Sequence, residues 1–135
     1  MTSKNNQAGS SSNNQRNRLG AQGERMVAHY LQTHDYTIRA YNFRQRCGEI
    51  DLVAERGTTR TFVEVKMRSS HYFPLSQVVT ASKQQKIIAT ARRYNHMHSA
   101  PEETNFRFDV ALIEPDKQDT LQITYICNAF TWQEE

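Results

Sequence analysis

Gly48-Glu49-Ile50-Asp51-Leu52-Val53 and, shortly after it, Phe62-Val63-Glu64-Val65-Lys66 are two apolar runs with charges set inside them. Residues of this kind, bounded by turn formers, read as β-strands. Arg56, Gly57 and Thr58 lie between them, and so short a glycine-containing connection predicts an antiparallel hairpin rather than a helical crossover. Side chains alternate across a strand, so Glu64 and Lys66 are expected on one face and Val63, Val65 and Met67 on the other. By the same rule Glu49 and Asp51 share a face opposite Ile50 and Leu52. The hairpin then brings Asp51 close to Glu64.

Working outward, Tyr36 to Phe43 alternates and predicts a preceding strand. Before it, Leu19, Met26, Val27, Tyr30 and Leu31 recur at spacings near three and four, which predicts a helix over Arg18 to Thr33. On the other side, Ser76 to His96 carries Val78, Val79, Ile87, Ile88, Ala91 and Tyr94 and predicts a second helix, closed off by Pro101. Phe106 to Ile113 and Leu121 to Ile126 predict two further strands about a turn at Pro115 and Asp116. The order αβββαβ(β) implies an α/β fold, a mixed sheet flanked by helices.

The length of 135 residues suits one domain, and no apolar run approaches the roughly 18 residues of a membrane helix. With 37% apolar residues and a mean hydropathy of -0.79, a soluble chain without membrane partners is expected. The N-terminus runs through Ser10, Ser11, Ser12, Asn13, Asn14 and Gln15 without an apolar signal region, so residues 1 to 15 are expected as a disordered tail and residues 16 to 135 as the folded domain. Cys47 and Cys127 have no paired spacing and read as reduced thiols of a cytoplasmic protein. The net charge of +3 is uneven: Arg16 to Arg93 holds 14 bases and 6 acids, whereas Tyr94 to Glu135 holds 2 bases and 8 acids. An Arg-rich stretch attracts polyanions by releasing their counterions, which makes nucleic acid the leading partner class. A solvated face that only maintains solubility is the alternative.

Two carboxylates on adjacent strands repel each other, and a divalent cation with a preference for oxygen, Mg²⁺ or Mn²⁺, would relieve that repulsion. Lys66, two positions beyond Glu64, could orient an attacking water and stabilise charge developing on a phosphate. The competing interpretation is an ordinary Glu64–Lys66 ion pair on a polar strand face. Glu24 by its spacing alone reads as a solvent-facing helix carboxylate. Lys83, Lys86, Arg92 and Arg93 could track phosphates along a helix, and Tyr72 and Phe73 beside Arg68 could stack on bases. The five histidines provide no complete metal site.

Gly-Glu-Ile-Asp-Leu at residues 48–52 with Phe-Val-Glu-Val-Lys-Met-Arg at residues 62–68 resembles the YraN family of bacterial proteins. Supporting positions are Gly23-Glu24, Tyr30-Leu31, Asn42-Phe43-Arg44, Val79 with Lys83, Arg107-Phe108-Asp109-Val110 and Asn128-Ala129-Phe130. That family is similar in turn to the restriction-endonuclease-like PD-(D/E)xK superfamily, and within it to archaeal Holliday-junction resolvases. The resemblance implies a metal-dependent DNA endonuclease acting on branched or single-stranded DNA. Asp51, Glu64 and Glu24 would then be the Mg²⁺ or Mn²⁺ ligands and Lys66 the catalytic lysine, with Arg25 following Glu24 as in those enzymes; Arg25, together with Arg68, Lys83 and Lys86 read from charge and spacing, is expected to contact DNA. It implies a homodimer as well, since a four-way junction offers two symmetric cuts. Ile50 stands where many superfamily members have proline, and Ser69 to Pro74 departs from the pattern by lacking a glycine. A non-catalytic nucleic-acid-binding module on the same fold is the alternative, and an interaction protein that docks through its acidic C-terminal stretch is a third.

Overall fold

The computed structural model of the chain describes residues 8–68 and 78–132. Helix α1 (Ala8–Thr33) leads into strands β1 (Thr37–Gln45), β2 (Gly48–Arg56) and β3 (Thr59–Met67), followed by helix α2 (Ala81–Met97) and strands β4 (Asn105–Pro115) and β5 (Leu121–Phe130). This is the expected element order. The five strands form one sheet in the order β1-β2-β3-β4-β5. Neighbours are antiparallel except β3 and β4, which run parallel because α2 carries the chain back to the start of the next strand. None of the described helices is long and apolar enough to cross a membrane.

Alternation along the strands divides the core in two. On one face Phe62, Phe108, Val110 and Leu112 pack with Ile87, Ile88, Ala91 and Tyr94 of α2. On the other, Val63, Ala111 and Ile113 pack with Val27, Ala28 and Leu31 of α1. Both helices therefore bury their apolar stripes, which is what holds a two-sided sheet between them. At Gly23 α1 comes close to the sheet, where a Cβ would lie 2.9 Å from Cδ1 of Ile113.

Several boundaries differ from expectation, β5 among them, which runs to Phe130 rather than Ile126. The first helix extends back to Ala8 rather than beginning at Arg18, so it overlaps the expected tail, of which residues 1–7 lie outside the described residues. The second helix begins at Ala81 rather than Ser76, because the Thr80 hydroxyl accepts from the Lys83 N–H at 3.3 Å and caps it. The hairpin loop is two residues, Gly57 and Thr58, with Gly57 at a left-handed φ of 58° that suits so tight a turn. Tyr72 and Phe73 lie outside the described residues.

Candidate metal and phosphodiester site

The β2–β3 ladder runs from Arg56 opposite Thr59 up to Leu52 opposite Val63. Beyond it the Asp51 carboxylate accepts the Val65 N–H at 2.8 Å, taking the place of a backbone partner. Strict alternation is lost here: Ile50 packs on the α2 side and Leu52 on the α1 side, although the two were expected to share a face. Between them the Asp51 side chain is directed to the backbone of β3.

Asp51 and Glu64 line one recess, close enough for the Glu64 charge to act on the Asp51 carboxyl. Burial, and next the neighbouring Glu64 charge, push the Asp51 carboxyl up to about 8, against the opposing pull of the Val65 N–H, with Glu24 adding a smaller push. Glu24 reaches this cluster from α1 and is held by Asn42 of β1, whose Nδ2 donates to Oε2 at 2.8 Å. Asn42 sits at φ 50°, a left-handed conformation that asparagine tolerates better than most residues. Glu64 is buried, and its ion pair is with Lys83 of α2, Nζ to Oε1 at 2.5 Å. The expected alternative of a Glu64–Lys66 surface pair is not what forms. Lys66 is exposed and makes no ion pair among the described residues.

Two recesses flank the cluster. One of about 190 Å³ is lined by Gly48, Glu49, Asp51, Glu64, Lys83, Lys86 and Ile87. The other, about 480 Å³, is lined by Leu19, Gly20, Glu24, Val65, Lys66 and Met67. Gly48 lets the start of β2 abut α2 at the first recess, since a Cβ there would stand 2.9 Å from Thr90 Oγ1 and 3.2 Å from the Lys86 carbonyl. Among the described residues no three His, Cys, Asp or Glu side chains converge into a finished metal cage. What the fold assembles is a pair, Asp51 with Glu64, and an outlying Glu24.

The remaining expected contacts divide. Arg25 and Lys86 are exposed on α1 and α2. Arg68 turns inward to Glu114 of β4 at 2.8 Å, so much of its charge serves the end of the sheet. Lys83 faces Glu64 rather than standing along an outer helix face. Glu49 pairs with Arg44 at 3.3 Å. Two participants were not assigned these roles from sequence, Asn42 as the holder of Glu24 and Lys83 as the partner of Glu64. Asparagine inside an otherwise regular strand was the available signal for the first; the second had none, because the contact spans 19 residues of chain. By contrast, Arg107 and Asp109 are structural. Asp109 is wholly buried and accepts from Thr61 Oγ1 at 2.7 Å, Arg107 Nη2 at 2.8 Å, the Tyr125 hydroxyl at 2.6 Å and the Asn128 N–H at 2.8 Å.

Residues 23–113 match the model of a family described as "Uncharacterised protein family UPF0102". A UPF0102 protein of Chloroflexus aurantiacus is 44% identical over 93 residues, covering 69% of this chain and 76% of that protein. One from Treponema pallidum is 37% identical over 122 residues, with 83% and 91% covered, and one from Symbiobacterium thermophilum is 40% identical over 115 residues, with 84% and 96% covered.

Proposed function

The chain belongs to the UPF0102 (YraN) family, and from its own residues we propose that the cluster of Asp51, Glu64, Glu24 and Lys66 is the active site of a divalent-metal-dependent DNA endonuclease. The observation that carries this reading is the close approach of two carboxyls, one from each strand of the hairpin, in a partly closed recess. Their mutual repulsion is what a bound cation would relieve. The donor set fits Mg²⁺ or Mn²⁺: it is all oxygen, and it is open. Such ions keep several waters and draw part of their shell from substrate phosphates, so two protein carboxylates suffice.

Asp51 and Glu64 would hold the ion, with Glu24, steadied by Asn42, on the α1 side. When bound, it would polarise the scissile phosphate and lower the pKa of the attacking water. The chain supplies the rest. Lys66, exposed and without an ion pair among the described residues, is free to orient that water and to meet charge developing on the phosphate. The Val65 N–H keeps the Asp51 oxygens aimed along the sheet. Arg25 and Lys86, at the surface on either side, supply positive charge for the DNA backbone. Cytoplasmic DNA is the substrate in this reading, with a homodimer suited to a symmetric branched form.

The test is cleavage of linear, single-stranded, flap and four-way DNA with Mg²⁺ or Mn²⁺ and with chelator. Nicking is expected only with metal. Lys66→Ala should cut more slowly by about 10²-fold or more, the cost of losing one transition-state contact, while its gel shift hardly moves. Equal cutting by the variant removes Lys66 from the chemistry. If neither protein cuts any form but both bind, the non-catalytic DNA-binding module is the better description.

A further inference from the structure

Glu64 and its cation are unequal partners. The Glu64 side chain is 8% exposed and fixed in the sheet, whereas the Lys83 side chain is 40% exposed and stands on a flexible stem in the first turn of α2. The ammonium can therefore leave into the recess it already lines, at modest cost, while the carboxylate cannot follow it. In that recess it would find Lys86 and the open side that DNA must approach.

A divalent ion held by Glu64 would bind through one of its carboxylate oxygens. The Lys83 Nζ lies 2.5 Å from Oε1, so both cations on this carboxylate would be near neighbours and repel strongly in a half-closed site. Resting on the metal site read above, we propose that Lys83 is a tethered counter-cation: it neutralises Glu64 while the metal is absent and is passed to a DNA phosphate when the metal takes that carboxylate. Metal and phosphate each favour the released state of Lys83. Their binding is therefore cooperative, and the coupling is reciprocal. Lys86, which makes no ion pair among the described residues, contributes affinity for phosphate without this coupling.

Calorimetric titration of the full chain with Mn²⁺, alone and with a short duplex carrying non-cleavable phosphorothioate linkages, tests the proposal. Without DNA, Lys83→Gln removes the competing charge and should bind Mn²⁺ about tenfold more tightly than the wild type. Lys83→Arg, whose guanidinium grips a carboxylate with two hydrogen bonds, should bind Mn²⁺ no more tightly than the wild type. The duplex should tighten Mn²⁺ binding to both proteins, since a phosphate fills part of the metal's shell, but several-fold more for the wild type than for Lys83→Gln. Wild-type binding of Mn²⁺ with equal or weaker binding by Lys83→Gln overturns the counter-cation role and leaves the metal site standing. Tighter binding by Lys83→Arg also overturns it, and this holds even if Lys83→Gln does not fold. Absence of Mn²⁺ binding in every protein overturns both readings together.

Discussion

Asp51 carries the conflict between stability and chemistry at the scale of a single side chain. Its carboxyl is pushed up to about 8 in the folded protein, from an ordinary value of 3.8. Between these values the unfolded chain has already lost the proton that the folded chain keeps, so the contribution of this residue to stability falls as the pH rises through that window. Metal-free protein should lose melting temperature from about pH 5 to pH 8, and Asp51→Asn should flatten that slope. The variant should also melt several degrees higher than the wild type in chelator at pH 8, because asparagine can still accept the Val65 N–H without bringing a second charge to Glu64. Added Mn²⁺ should reverse the ranking by stabilising the wild type alone. Thermal unfolding across pH, with and without Mn²⁺, measures all three effects. A slope unchanged in Asp51→Asn would mean that the charge conflict lies elsewhere.

At the scale of elements, the hairpin and the parallel strand beside it are tied by one buried charge. Asp109 of β4 gathers Thr61 of β3, Arg107 of its own strand, and Tyr125 and the Asn128 N–H of β5. Arg107 in turn donates to the Tyr36 hydroxyl at 2.6 Å, where the chain leaves α1 for β1. The Tyr125 hydroxyl is raised well above its usual range by burial, with the Asp109 charge reinforcing it, so it remains a donor at every ordinary pH. Replacing Asp109 by alanine leaves Arg107 and two hydroxyls without their acceptor. The loss should be about 3–5 kcal/mol, as when one partner of a buried ion pair is removed. Urea unfolding of Asp109→Ala measures it. A loss below about 1 kcal/mol would mean that the network relaxes onto water at little cost. Since this knot lies on the α1 face of the sheet and Glu64 stands over the α2 side, the same variant should alter folding more than Mn²⁺ binding under conditions where it is folded.

Over the whole molecule, the basic stretch from Arg16 to Arg93 takes in much of α1, the first three strands and much of α2, and several of its charges are already engaged. Arg39 and Arg60 meet Glu55, Arg44 meets Glu49, Arg68 meets Glu114, and Lys83 meets Glu64. The cations left for DNA include Arg25, Lys66, Lys86, Arg92 and Arg93, all exposed. DNA affinity should therefore fall with salt, but with the slope of about four or five phosphate contacts per chain rather than of every base in the stretch. Fluorescence anisotropy with a short duplex at several salt concentrations gives that slope. A flat response would remove nucleic acid as the partner.

Hydrophobic alternation, one glycine-containing turn and two amphipathic stretches were enough to establish by themselves the element order, the hairpin and the approach of Asp51 to Glu64. These are local facts, since strand period, turn length and helix period depend on near neighbours in the chain. The residue-level resemblance added Glu24 as a member of the cluster. Tertiary structure alone decided how the charges pair. The sequence offered Lys66 as the ion-pair partner of Glu64, yet among the described residues Lys66 makes no ion pair and the distant Lys83 makes the contact, because the cap at Thr80 starts α2 beside the open end of the hairpin. The turn of Asp51 toward the β3 backbone, the hold of Asn42 on Glu24 and the inward turn of Arg68 have the same origin. Each depends on which backbone N–H or carboxylate another element presents nearby, and periodicity along one strand carries no information about that.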